Sequence, residues 1–183
     1  MRKTFYRIFT IADYEEEELW LREQHKAGWK LVKLTPPCIY VFESCTPEDV
    51  IYRLDYKNTE RDSGYMQMLR DFGWEYFASC FGWLYFRKPA AAAETEEDGE
   101  LFSDNASRAE MAASVVKTRL LPLLIIFLCC IVPNAIRYAD NGGGLGRAGA
   151  FFSIFFTVMF FVYAVLILHC SIKLKRIRDR YKA

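Results

Sequence analysis

Three charged side chains on one predicted strand could hold a ligand. Arg53, Asp55 and Lys57 alternate with hydrophobic residues along 50–57, which places all three on one face of a strand. Such a set can form ion pairs and hydrogen bonds with an anionic ligand or a protein partner. The aromatic residues that we expect nearby on the same outer face, and that interfaces favour, are Tyr40, Trp83 and Tyr85. The alternative is that Arg53 and Asp55 form cross-strand ion pairs on an exposed surface.

No residue set typical of catalysis or metal binding is found in the sequence. The only histidines are His25 and His169, and no two of the six cysteines are spaced as CxxC. Four consecutive glutamates at 15–18 fit the solvated start of a helix, and the glycine-rich stretch 142–146 lacks the strand and lysine of a phosphate-binding loop. We therefore predict a protein that is not an enzyme, with no catalytic residues, no cofactor and no metal. The N-terminal part also lacks the basic stripe of a nucleic-acid-binding domain.

An internal repeat supplies the elements that would position the candidate face. Gly28-Trp29 recurs 45 positions later as Gly73-Trp74, and the same offset aligns residues 5–9 with 50–54 and 39–41 with 84–86. Each glycine is expected to end a helix in the left-handed conformation. Each tryptophan is expected to pack between that helix and a sheet, so we assign all four residues a structural role.

Each copy of the repeat predicts the order strand, helix, strand, strand. In the first copy the strands are expected at 5–11, 29–34 and 38–43, with a helix that Asp13 caps and Gly28 ends. In the second copy the strands are expected at 50–57, 74–79 and 83–88, with a helix over 62–72. The fold class is therefore α+β: a duplicated β-α-β-β unit that forms an antiparallel sheet with two helices on one face, related to the ferredoxin-like plan. Periodicity leaves the strand order open.

The composition changes after residue 88 and divides the chain into further segments. We assign residues 1–88 to the duplicated domain and 89–118 to a mobile, acidic and alanine-rich linker that can include a juxtamembrane helix. Residues 119–137 and 149–172 are predicted transmembrane helices, joined by a short loop at 138–148 and followed by a basic tail at 173–183. Pro133 is expected to end or kink the first span. Because basic residues flank the spans on the terminal side, both termini are predicted to be cytoplasmic.

Several motifs resemble the bacterial domain-of-unknown-function family 2812. They lie at residues 18–21, 28–31, 52–56, 65, 72–76 and 82–88. The resemblance covers about residues 5–88 and implies a bacterial cell-membrane protein, because members are common in Firmicutes and often carry two C-terminal transmembrane helices. Members are often encoded beside PadR-type transcription regulators, which makes such a regulator a candidate partner; another membrane protein is the alternative. The family has no established activity, so the resemblance implies no catalytic residues.

Two functional hypotheses remain beside the weaker one of a membrane-bound enzyme. In the first, the chain is a membrane-anchored regulatory or sensing module whose cytosolic domain binds a protein or a small ligand. In the second, it is a structural component of the membrane whose spans assemble into a homo-oligomer through Gly149, Ala150 and Ser153. Both hypotheses place two spans in the lipid bilayer, and neither involves direct contact with nucleic acid.

Overall fold

The computed structural model describes residues 1–36, 39–56, 63–95, 97–101, 105–141 and 146–182. Its strands are β1 (Arg2–Tyr6), β2 (Trp29–Thr35), β3 (Ile39–Ser44), β4 (Val50–Tyr56), β5 (Glu75–Cys80) and β6 (Trp83–Pro89). Its helices are α1 (Tyr14–Lys26), α2 (Ser63–Asp71), α3 (Asn105–Val115), α4 (Leu121–Ile126), α5 (Val132–Asn141) and α6 (Gly146–Lys182). The chain divides into two compact units, and the boundary along the sequence falls between Met111 and Ala112. The α+β class, the antiparallel strands and the C-terminal helical hairpin predicted from the sequence are confirmed.

The strands form two three-stranded antiparallel sheets, where the sequence led us to expect a single sheet. Sheet 1 has the order β1-β3-β2, and sheet 2 has the order β4-β6-β5. Pairing within each copy needs only short connections, so each repeat completes its own sheet. Both sheets also carry a register shift, between Leu31 and Lys33 in β2 and between Tyr76 and Ala78 in β5. These bulges are 45 positions apart, which shows that the duplication extends to local backbone geometry.

The two helices cover opposite faces of sheet 2, a second difference from the expected arrangement. In α2, Leu69 packs with Trp74 and Phe86 on one face. In α1, Tyr14 stacks on Trp83 with ring centroids 5.1 Å apart, on the other face. The reason is that β4 and β6 are buried on both sides, so one helix layer cannot cover them.

Helix α1 also covers sheet 1 and therefore lies between the two sheets. Its Trp20 ring makes edge contacts with Phe5 of β1 and with Tyr40 and Phe42 of β3, at centroid separations of 5.9, 5.0 and 5.6 Å. Edge-to-face geometry of this kind adds to the free energy gained by burying the rings. One helix from the first repeat thus forms a shared layer of the core.

The two glycines end their helices as predicted. Gly28 and Gly73 have φ values of +84° and +82°, and their N–H groups donate to the carbonyls of His25 and Arg70, each at 2.9 Å. The following tryptophans differ, because Trp74 is buried in the core of sheet 2 whereas Trp29 is only half-buried. The structural role assigned to the second tryptophan matches this packing.

Asp13 precedes α1 but does not cap it with its side chain. Its carboxylate accepts hydrogen bonds from the N–H and the hydroxyl of Thr10, at 2.8 and 2.6 Å. The carboxylate therefore closes the turn before the helix, because it binds the two Thr10 donors instead of the free N–H groups at the helix start.

The segment after β6 packs against the N-terminal domain, although its composition led us to expect a mobile linker. The Ala90 N–H donates to the Asp49 carbonyl at 2.8 Å, and the Lys88 ammonium donates to the Asp98 carbonyl at 3.2 Å. Leu101 packs against the core of sheet 2. We call the described residues 90–95 and 97–101 the strap. The few apolar residues of the strap cover the hydrophobic core of sheet 2. Composition alone does not reveal this packing.

Two helical stretches, Glu110–Tyr138 and Gly149–Ile177, are long and apolar enough to cross a membrane. In the most apolar part of each stretch, only 17% and 0% of the residues are buried inside the protein. A core helix of a soluble protein is mostly buried. Pro133 does not end the first stretch. A wider π-helical turn at Phe127–Ile131 comes just before it, and the Asn134 side-chain amide donates to the Cys130 carbonyl at 2.7 Å. The wider turn makes room for the proline ring, and the Asn134 amide adds a hydrogen bond to the helix beside it.

We predict that alanine will be tolerated less well at Gly28 than at Gly73. A left-handed alanine costs about 1–2 kcal/mol at either position, but at Gly28 the new Cβ would also lie 3.2 Å from the Cys45 carbonyl oxygen, against 3.6 Å from the flexible Lys88 side chain at Gly73. Urea unfolding of the detergent-solubilised full chain, followed by tryptophan fluorescence, measures the difference. Gly64→Ala, on the exposed surface of α2, is the control and should not lower stability. Equal losses for Gly28→Ala and Gly73→Ala would contradict the prediction.

Candidate functional site

The glutamate run at the start of α1 places two carboxylates inside the N-terminal domain. Successive helical residues are separated by about 100°, so four in a row cannot all face solvent once the helix lies between two sheets. Glu17 and Glu18 are buried, as are Leu21 and His25 one and two turns further along. The solvated helix start expected from the sequence therefore holds only for the first part of the run, Glu15 and Glu16.

Glu17 joins the two sheets through a single oxygen atom. Its Oε1 accepts a hydrogen bond from the Tyr40 hydroxyl at 2.8 Å and another from the Tyr85 hydroxyl at 2.9 Å. Tyr40 lies on β3 and Tyr85 on β6, the central strands of sheets 1 and 2. Burial raises the pKa of Glu17 above its ordinary value, although the two hydroxyl donors act in the opposite direction.

Glu18 covers the free edge of sheet 2. Its Oε1 accepts the Leu54 N–H of β4 at 2.7 Å, a donor that faces away from β6, and its Oε2 lies 3.5 Å from the Arg53 guanidinium. Burial raises the pKa of Glu18 to about 8, against the lowering effects of Arg53 and the Leu54 N–H. The carboxyl group therefore gains or loses its proton near neutral pH.

Arg53 connects this carboxyl group to the strap. Its Nε and Nη2 atoms donate to the two carboxylate oxygens of Glu100 at 3.0 and 2.8 Å, and its Nη1 donates to the Tyr52 carbonyl at 3.0 Å. This paired geometry is the strongest form of arginine–carboxylate recognition. The Arg53 side chain keeps 21% of its surface exposed, and that of Glu100 keeps 32%. We call Glu18, Arg53 and Glu100 the Arg53 site.

The structure does not bring the predicted residues onto one exposed face, and it buries most of them. Trp83 and Tyr85 pair with Tyr56 and Leu54 and therefore lie on the face of sheet 2 opposite to Arg53 and Asp55, whereas Tyr40 belongs to sheet 1. Tyr40, Trp83, Tyr85 and Asp55 all have less than 9% of their surface accessible. The reason is the coverage of β4 and β6 on both sides. Arg53 alone among the described residues of this set is more than 9% exposed, and Lys57 lies outside the described residues. The role of these residues in binding a partner stays a prediction.

Asp55 lies on the α2 side of sheet 2, separated from the tyrosines that hold Glu17. It accepts a hydrogen bond from the Tyr65 hydroxyl of α2 at 2.8 Å. Burial and the neighbouring carboxylate raise the pKa of Tyr65 above its ordinary value. Asp55 thus holds α2 against the sheet, whereas Arg53, two residues earlier in the strand, faces the strap.

A second polar cluster between the sheets escaped the sequence analysis. Arg87 of β6 donates to both carboxylate oxygens of Glu75 at 2.7 and 2.6 Å and to the Leu31 carbonyl of β2 at 3.3 Å. Beside it, His25 Nδ1 and the Tyr52 hydroxyl are 2.8 Å apart. Burial, followed by the charge of Arg87, lowers the pKa of His25. The recurrence of Glu17, Leu21 and His25 at four-residue spacing was the signal for a buried helix face.

The described residues include no group of three or more His, Cys, Asp or Glu side chains arranged to hold a metal ion. Every buried side-chain nitrogen and oxygen in the same part of the chain has a hydrogen-bond partner within the protein. The polar groups of the core are therefore arranged to satisfy one another, which is the requirement for a stable buried network.

Fold and site together define a class of protein: an α+β domain of two sheets around a shared helix, followed by a strap and two apolar helices. A family model described as a protein of unknown function, DUF2812, matches residues 13–125, and the chain belongs to that family. The match begins just before α1 and extends beyond residue 88 through the strap into the first apolar helix. No curated protein and no solved structure matches the chain.

We predict that Glu18 makes the stability of the protein depend on pH between about 4.5 and 8. Over this range Glu18 is deprotonated in the unfolded chain, where its pKa has the ordinary value of 4.5, but stays protonated in the folded chain, where its pKa is about 8. The free energy of unfolding should therefore fall as the pH rises, by at most about 1.4 kcal/mol per pH unit for one proton. Glu18→Gln should flatten this slope in urea unfolding of the full chain. Glu23→Gln, on the exposed surface of α1, is the control, and the same slope in all three proteins would rule the prediction out.

The hydrogen bonds on Glu17 give a further prediction. Tyr40→Phe and Tyr85→Phe should each lower the free energy of unfolding by about 1–3 kcal/mol. The double variant should lose more than the two single losses together, because the second change leaves Oε1 buried without a donor. Tyr6→Phe, whose residue is 75% exposed, is the control and should change stability by less than about 0.5 kcal/mol. Additive losses measured by chemical unfolding would show that the two hydroxyls act independently.

Proposed function

We propose that this chain is a membrane-anchored regulatory module and not an enzyme. The carrying observation is the paired hydrogen bonding between Arg53 and Glu100. Glu100 belongs to the strap, and the chain continues from the strap into α3 and the first apolar helix. A carboxylate or phosphate of a ligand or partner that competes for Arg53 would release the strap from the domain. Binding to the domain is thereby coupled to the segment that leads to the membrane.

The charge balance around Arg53 supports an exchangeable occupant. At neutral pH Glu18 holds its proton for much of the time, because its pKa lies at about 8. Arg53 then has one full negative partner, Glu100, and this partner is partly exposed. A competing anion would replace one carboxylate with another and would leave no buried charge without a partner, which keeps the cost of exchange low.

The membrane orientation in this proposal follows from the basic residues. Lys117 and Arg119 precede the apolar part of the first span, and Lys173, Lys175 and Arg176 follow that of the second. By the positive-inside rule, both ends of the chain lie in the cytosol of a bacterial cell. The Arg53 site then faces cytosolic ligands and partners.

A PadR-type transcription regulator is the partner that we propose. The reason is the frequent proximity of genes for such regulators to genes for proteins that this chain resembles. The association is one of gene neighbourhood, and we propose that such a regulator binds at the Arg53 site. An acidic segment of the regulator would compete with Glu100 for the guanidinium.

The strap can be tested by hydrogen exchange on the full chain in lipid nanodiscs. Arg53→Gln and Glu100→Gln should each speed exchange of the amides in residues 97–101 by about tenfold, because each removes the paired hydrogen bonds. Arg2→Gln is the control, since Arg2 forms an ion pair with Glu43 on sheet 1, at 3.5 Å, and neither residue contacts the strap in the described structure. Unchanged exchange in the Arg53 and Glu100 variants would remove the basis for a releasable strap.

The partner is tested by binding the purified PadR-type regulator to the same nanodiscs. Binding should speed exchange in the strap of the wild-type chain, and Arg53→Gln should weaken binding while Arg2→Gln leaves it unchanged. Absence of binding would exclude this partner. Turnover of a substrate by the wild-type chain in an unbiased metabolite screen, lost in Arg53→Ala, would overturn the regulatory proposal in favour of an enzyme.

A further inference from the structure

A groove lies within the C-terminal unit, at the basic end of the two apolar helices. It has a volume of about 430 Å³, and its lining includes Ala113, Lys117, Leu121, Ser171, Leu174 and Lys175. The first three are four residues apart and lie on one face of the first helical stretch, and the other three lie on one face of α6. Small side chains at Ala113 and Ser171 leave the space open between them.

The two lysines give the groove a positive charge that the described protein does not neutralise. Among the residues that the structure describes, no carboxylate lies within 4.0 Å of the ammonium group of Lys117 or Lys175. Arg119, Lys173 and Arg176 lie close to them in sequence. Two ammonium groups that flank one groove are suited to an anion, since each brings three donors to a phosphate.

The rest of the lining favours an anion that carries hydrocarbon. Leu121 and Leu174 contribute apolar surface to the lining. The groove lies at the N-terminal end of one candidate span and the C-terminal end of the other. Ile125 and Leu128, further along the first span, are exposed and continue the apolar surface away from the lysines. A phosphate held by the lysines would place its acyl chains along this surface.

We propose that this groove binds the headgroup of an anionic phospholipid, with Lys117 and Lys175 on its phosphate and the acyl chains along the exposed apolar residues of the spans. The interaction is separate from the Arg53 site and does not depend on the regulatory function. Basic grooves between helices at the membrane surface provide the charge and the depth that such a lipid needs.

The experiment titrates the full chain in mild detergent with phosphatidylglycerol and with phosphatidylcholine, and counts bound lipid by native mass spectrometry. Phosphatidylglycerol should bind more tightly than phosphatidylcholine. Lys117→Gln and Lys175→Gln should each weaken its binding about fivefold, and the double variant about thirtyfold, the usual contribution of lysines at a membrane surface. Ala113→Leu should also weaken binding, because it fills the groove without changing the charge.

Arg137→Gln is the control, since it removes one exposed cation near the opposite end of the first span and should bind phosphatidylglycerol like the wild type. Three outcomes would overturn the proposal. These are wild-type binding by the double lysine variant, an equal loss in Arg137→Gln, and displacement of the lipid by millimolar inorganic phosphate. The last result would assign the groove to a soluble anion.

Discussion

The N-terminal domain depends on one buried carboxylate, that of Glu17, which the central strands of both sheets hold through tyrosine hydroxyls. Its Oε1 accepts hydrogen bonds from the Tyr40 and Tyr85 hydroxyls, which are both buried between the sheets. With this carboxylate, helix α1 is fixed in rotation, so that Glu18 and Leu21 also face inward. Covering two sheets with one helix therefore requires a polar contact at the centre of an otherwise aromatic layer.

The burial of β4 on both faces follows from this arrangement and creates the Arg53 site. Helix α1 closes one face and the edge of the strand, and α2 and the strap close the other. Arg53 lies where these coverings meet. Its guanidinium is therefore shared between a carboxyl group of the helix and a carboxylate of the strap. The same carboxylate–guanidinium chemistry could be performed by a partner, which is why the regulatory proposal centres on this residue.

The sequence predicted much of the local structure, because helix ends and strand alternation are set by near neighbours. The predicted α1, its end at Gly28 and five of the six strands agree with the structure to within two residues. The first strand is the exception, since it lies at Arg2–Tyr6 where the repeat predicted 5–11. The candidate face was harder to predict. Alternation along 50–57 correctly separates Arg53 and Asp55 from Tyr52 and Leu54, but it cannot say that both faces are covered. The strap was missed because alanine and acidic residues resemble a mobile linker.

By itself, the sequence determined that the chain contains a duplicated β-α-β-β unit, a family relationship and two apolar helices. These features are encoded in spacing, composition and positive-φ glycines, which act over a few residues or recur at a constant offset. Only the tertiary structure decided that each copy closes its own sheet, that Glu17 and Glu18 are buried and that Glu100 reaches Arg53. These contacts join residues 23 to 68 positions apart, and their free energy depends on a buried environment that exists only once the sheets and the helix have packed together.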